Sequence, residues 1–233
     1  MVVFLGGSNM AFAHGDKASD QKVNETVTAF LNNISADNKK HVKSFDKAKG
    51  ETFAQKQTPR ATVLMCSDSR VDGETIDSDR VNDHFVIRNI GNQIETAEGS
   101  IEYGIDHLHT PVLLIVGHSG CGAVEAGRGD FSTLTAPIQK ELKSLDVKGT
   151  KSLEEGIVHN VNHQVELAQK KFADKVKSGE LTIIGTVYDF RDDFKKGHGR
   201  LVLVNVNGET DAAKLKDHPV LKSVKDMTIG VGK

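Results

Sequence analysis

The chain has 233 residues, 37% apolar and 27% charged, with a formal net charge of -2. That length suits one domain with a full core, or at most two small ones. A near-neutral balance and the absence of tryptophan speak against a basic, base-stacking nucleic-acid surface, and no apolar run is long enough to span a bilayer.

Residues 1–19 read as a tail. Met1 to Leu5 is apolar, and Ala11-Phe12-Ala13 has the small-x-small pattern that precedes a signal-peptidase cut. The segment is expected to be a signal-peptide remnant or a disordered end, and the former implies a periplasmic or secreted protein, with the cytoplasm as the alternative. Residues 20–233 form the expected domain. Spaced apolar positions (Val23, Val27, Phe30, Leu31, Ile34, Val42, Phe45) predict one or two amphipathic helices over 20–49, with Gly50 as the stop. Ala61–Met65 predicts a buried strand and Phe85–Ile87 a second, followed by a turn over 88–92. A helix over 96–108 leads to Pro111 and the most apolar strand, Val112–Val116. Helices are predicted over 132–145, 152–177 and 211–224, and strands over Leu181–Val187 and Leu201–Val206. The polar link from Asp189 to Arg200 is too short for a crossover and predicts an antiparallel pair. The fold class is therefore α/β: a mostly parallel central sheet of about four strands plus an antiparallel edge strand, flanked by helices, with an N-terminal helical arm.

Two stretches carry the chemistry. Cys66-Ser67-Asp68-Ser69-Arg70 follows the first strand, and His118-Ser119-Gly120-Cys121 follows the third. The chain has two cysteines, one in each. Two thiolates, an imidazole and a releasable carboxylate are a zinc ligand set. If the chain leaves the first strand still extended, Cys66, Asp68 and Arg70 point to one side. Asp68 then either closes the metal site as fourth ligand or is held away by Arg70 in a bidentate pair, leaving that position to water. Two thiolates already neutralise a dication, so such a water is less acidic than at an all-histidine zinc, and activity is expected to rise through mildly alkaline pH.

Other readings of these residues are weaker. A disulfide between the two cysteines removes the ligand logic. A dinucleotide loop needs G-x-G-x-x-G, which Gly117, Gly120 and Gly122 do not provide. A hydrolase elbow, G-x-S-x-G, fails by one place at Gly117-His118-Ser119. A nucleophilic Cys121–His118 pair leaves Cys66, Asp68 and Arg70 without a role. A zinc that only staples the fold has no use for Arg70. His41, His107, His109, His159 and His163 read as surface or helix positions and His14 as tail, and His84 has no obvious ligand companion.

The C-x-D-x-R stretch followed about fifty residues later by H-x-x-C resembles the signature of the β-class carbonic anhydrases. The resemblance covers roughly residues 20–210. It implies that Cys66, His118 and Cys121 hold Zn2+, with Asp68 and Arg70 as the catalytic dyad. It further implies substrate contacts from Gln57, Phe85, Ile90, Tyr103 and Gly122, in a cleft at a dimer interface that the N-terminal arm helps to build. The implied reaction is reversible hydration of carbon dioxide to bicarbonate and a proton, in a homodimer or dimer-based oligomer. Hydrolysis of carbonyl sulfide or carbon disulfide on the same scaffold, and a non-catalytic zinc- or bicarbonate-binding protein, are the alternatives. The tryptophan that one branch of the family uses in a bicarbonate site is absent.

Overall fold

The computed structural model describes residues 20–230, and the expectations for residues 1–19 fall outside it. The chain divides into two units, with the boundary between Lys56 and Gln57.

The described part of the first unit is helical. Helix α1 spans Asp20–Ser44, and α2 spans Lys47–Gln55. Asp46 caps α2 by accepting from the backbone N–H groups of Ala48 and Lys49. Gly50 therefore lies inside a helix instead of ending one. A Cβ there would stand 2.6 Å from the Phe45 ring, so the missing side chain makes room for Phe45 to fold onto the helix. Val23, Val27, Phe30, Leu31 and Ile34 are exposed along α1.

The second unit is built on a six-stranded sheet in the order β2-β1-β3-β4-β5-β6. The strands are β1 (Ala61–Cys66), β2 (His84–Asn89), β3 (Val112–His118), β4 (Thr182–Asp189), β5 (Arg200–Val206) and β6 (Thr228–Ile229). β2, β1, β3 and β4 run parallel, and β5 is antiparallel to β4. The sheet thus has the predicted four-strand parallel body and antiparallel partner. The two-residue β6 pairs parallel with the far side of β5, a detail too short for periodicity to reveal.

The β1–β2 crossover is a loop with one 3-10 turn, and the later crossovers are helical. A short helix, α3 (Glu98–Glu102), continues into a π-type turn over Tyr103–His107 before β3. Between β3 and β4 lie α4 (Gly122–Arg128), α5 (Ala136–Lys143), α6 (Leu153–Lys171) and α7 (Ala173–Ser178). After β5 comes α8 (Ala212–Asp217), where a helix to 224 was expected. Pro219 starts a separate 3-10 turn, because it has no N–H to continue α8. Among the described residues no helix is long and apolar enough to cross a membrane.

Leu64, Ile87, Leu113, Ile115 and Ile183 pack with Ile101, Ile105, Val165 and Ala168 on one side of the sheet. Toward the strands' carboxyl ends, Cys66, Cys121, Val124, Leu142, Ile157, Val161 and Val187 form a second cluster. α6 lies close against β3 and β4 because two strand glycines face it. A Cβ at Gly117 would come within 2.6 Å of Val161, and one at Gly185 within 2.8 Å.

Candidate metal centre

Strand order and register bring the two sequence stretches together. β1 and β3 are neighbours, and Met65 pairs with Val116. Cys66 ends β1 and His118 ends β3, so both exit loops leave the same edge of a parallel sheet, the usual place for a ligand site. Gly120, at a φ of 66°, turns the second loop through a left-handed conformation and delivers Cys121 to the start of α4.

Cys66 Sγ, Cys121 Sγ and a His118 ring nitrogen all lie within 4.8 Å of one another, and all three residues are buried. The thiols are free of a disulfide. His118 Nδ1 sits 3.0 Å from the Ser119 carbonyl oxygen, which only accepts, so Nδ1 carries the proton. Nε2 is left with a lone pair, buried and without a hydrogen-bond partner. An orphaned imidazole nitrogen facing two sulfurs is a poor arrangement for a protein interior unless a cation occupies it. The donor set fits zinc, whose roughly 2.0–2.3 Å bonds place ligand atoms about 3.5–4 Å apart.

The thiols titrate in opposite directions. Cys66 is lowered to about 4, chiefly by a hydrogen bond from Cys121, against burial and with help from His118 and the Gly91 N–H. Cys121 is pushed well up by that same pairing and by burial, while the N–H groups of Val124 and Ala123 oppose the rise. The pair shares one proton because two bare thiolates in a buried space repel. A dication bound there would take the place of that proton.

Of the two arrangements open to Asp68, the structure has the bidentate fork. Arg70 Nε donates to Oδ1 at 2.9 Å and Nη2 to Oδ2 at 2.7 Å. Asp68 titrates at about 2, mainly through these hydrogen bonds. Its Oδ2 lies 3.8 Å from His118 Nε2, so the carboxylate stands beside the ligand nitrogen while bound to the guanidinium. Arg70 Nη2 also donates to the Gly120 carbonyl at 3.1 Å, joining the two loops.

Ile90 and Gly122 belong to this region. Ile90 packs half-buried against the cluster that contains both cysteines, and Gly122 opens α4 with an exposed backbone and no heavy atom within 4 Å of a Cβ placed on it. Gln57, Phe85 and Tyr103 do not. Phe85 pairs with Thr62, four residues before Cys66 on β1, or about 13 Å along the strand. The Tyr103 ring lies against Phe85, 5.7 Å between centroids, and Gln57 precedes β1. All three stand toward the amino end of the sheet, away from their own chain's sulfur centre.

Several residues at the centre escaped sequence reasoning. Arg88, read as part of a turn, lies in β2 and donates to the carbonyls of Cys66, Asp68 and Val71, clamping the first loop. The Gly91 N–H points at Cys66 Sγ, 3.4 Å away. Asn160 and Gln164 of α6 hold that segment by bonds to Gly91 O and Ile94 N. Phe190 stacks beside His118. None of these has a spacing signal, since each acts through backbone geometry or a long-range contact. The invariable cue was chemical: a ligand thiolate needs donors.

His84, set aside as companionless, has Asp77 at 3.3 Å and Asp83 at 3.7 Å from its Nε2. Asp77 and Asp83 come from the loop between β1 and β2, whose return to the sheet sequence did not foretell. Both Asp83 oxygens accept from Arg60, so this group is an ion-pair cluster with its own cation.

A family model described as carbonic anhydrase matches residues 61–195. Carbonic anhydrase 2 of Mycobacterium tuberculosis is 30% identical over 165 residues, covering 65% of this chain and 77% of the relative. A carbonic anhydrase of Mycolicibacterium smegmatis is 31% identical over 161 residues, covering 60% and 75%. Among solved structures, a tetrameric β-carbonic anhydrase from Sordaria macrospora aligns with a TM-score of 0.61 at 21% identity, covering 78% of this chain and 98% of the other.

Proposed function

The chain belongs to the β-class carbonic anhydrases, a lyase family, and from that premise we propose that it interconverts carbon dioxide and bicarbonate with zinc bound by Cys66, His118 and Cys121. The observation that carries this is His118 Nε2: buried and without a hydrogen-bond partner, beside two thiols.

When bound, zinc supplies an acidified water as nucleophile and offsets the charge of the thiolates. The side chains do the rest. Asp68, ionised down to about pH 2, only accepts, so it would take a hydrogen bond from a water held at the metal and so orient it. Arg70 keeps Asp68 in that role by occupying both its oxygens on the outer side. Ile90 gives the apolar wall that suits an uncharged, electrophilic substrate, and the Gly122 backbone lines the approach.

Gln57, Phe85 and Tyr103 support a dimer reading. They lie too far from their own chain's centre to touch its substrate, so they act across an interface on a second copy's cleft. The exposed apolar row of α1 offers a surface to cover. Light scattering at assay concentration tests this, and a fully active monomer ends it. Export rests on the Ala11-Phe12-Ala13 pattern alone. N-terminal sequencing of the protein from its native cells checks it, and an intact Met1 ends it.

The deciding experiment is stopped-flow hydration of carbon dioxide with parallel metal analysis. One zinc per chain, loss of turnover on chelation and return on adding zinc are expected. Cys66→Ser should lose both metal and turnover. Full activity without bound metal overturns the proposal.

A further inference from the structure

Phe190 borders both the His118 ring and the Arg70 guanidinium. Its centroid is 6.1 Å from that of His118, with 23° between the ring planes. Arg70 is also close, its Cζ 4.9 Å from the centre of the same ring. We propose that Phe190 is a positioning residue, which keeps the Arg70 guanidinium on Asp68 and thereby keeps Asp68 off the metal.

Asp68 has two competing partners. Its Oδ2 is 2.7 Å from Arg70 Nη2 and 3.8 Å from His118 Nε2, so a small rotation takes it from the guanidinium to a cation on that nitrogen. Arg70 alone is a weak restraint, because half its side chain is exposed and an exposed ion pair is screened by water. Two further contacts fix it: the Gly120 carbonyl, which takes one N–H, and the face of Phe190. The carbonyl restrains one end of the fork. The ring attracts the whole cation through its quadrupole and blocks the movement that would carry it away from Asp68.

The ring is itself held independently of Arg70. The Arg191 N–H donates to Ser119 Oγ at 3.2 Å, tying the Phe190 loop to the loop that carries His118. The buried Asp189 carboxylate accepts from the N–H groups of Asp193 and Phe194, and the Gly199 N–H donates to Asp189 O. His198 Nδ1 donates to Phe190 O at 3.0 Å, and Tyr188 flanks the ring at 5.9 Å. The ring is thus a fixed platform on which the guanidinium rests.

This inference rests on the zinc-site reading above, and the test separates the two. Cobalt replaces zinc, and azide is titrated by the visible spectrum of the metal, a readout independent of turnover. Three variants are compared with the parent. Phe190→Leu keeps apolar bulk and removes the ring face, Phe190→Tyr keeps the face, and Phe190→Leu with Asp68→Asn also weakens the competing ligand. Azide affinity is expected to fall about threefold or more in the Leu variant, to stay at the parental value in the Tyr variant, and to recover in the double variant. Where the Leu chain does not fold, Phe190→Met makes the same comparison. A Leu or Met variant that folds and binds azide like the parent overturns the positioning role, as does a loss that Asp68→Asn leaves unrecovered. A parent that takes up no cobalt overturns the metal reading and this inference with it.

Discussion

At Asp68 the hydrogen bonds from Arg70 outweigh burial, and the carboxyl titrates at about 2 instead of 3.8. Because the folded-state value is depressed, the stabilisation from this pair is complete above about pH 4 and is lost as pH falls through about 2. The dyad therefore does not titrate in the working range, so the expected alkaline rise in activity would have to come from a metal-bound water. Asp68→Asn should lower kcat/KM roughly 10²-fold at every pH from about 6 to 9, read by stopped flow. A variant within threefold of the parent removes Asp68 from the mechanism. The Cys66–His118–Cys121 cluster and the Asp68–Arg70 pair were legible because a zinc donor set and bidentate pairing demand particular residue types, and few other types can serve. Phe190, Gly91 and Asn160 were not, since a ring face, an N–H or a carboxamide is useful at the centre only where the fold delivers it. His84 shows the same limit: its two carboxylate neighbours come from a loop whose path no periodicity encodes.

Strands were readable from short apolar runs, and β1, β3, β4 and β5 fall within a residue or two of expectation. Helix ends were less so. The predicted helix over 152–177 breaks at Phe172 into α6 and α7, where the buried ring takes a non-helical backbone. Gly50 misled because a glycine serves a close approach as readily as a stop. Gly117 and Gly185 act by close approach too, on either side of Val161. Gly117→Ala pushes α6 from β3 one residue before His118. It should cost about 1–3 kcal/mol by denaturant unfolding, and Val161→Ala should recover part of that. Full stability in the single variant would show that the helix has slack the packing denies.

Alternating strands and helices made the parallel class legible, but not the order in which strands lie side by side, because those pairings are non-local. That order has a kinetic consequence. The two sulfurs come from chain segments separated by β2 and α3, and they meet only once β3 has docked beside β1. An unfolded chain offers the metal at most the local His118–Cys121 pair, never the assembled trio. Zinc should therefore act after the rate-limiting step of refolding, leaving that rate unchanged and slowing the unfolding arm of the chevron. Refolding that accelerates with zinc would mean the central strands pair first and the cation seeds them.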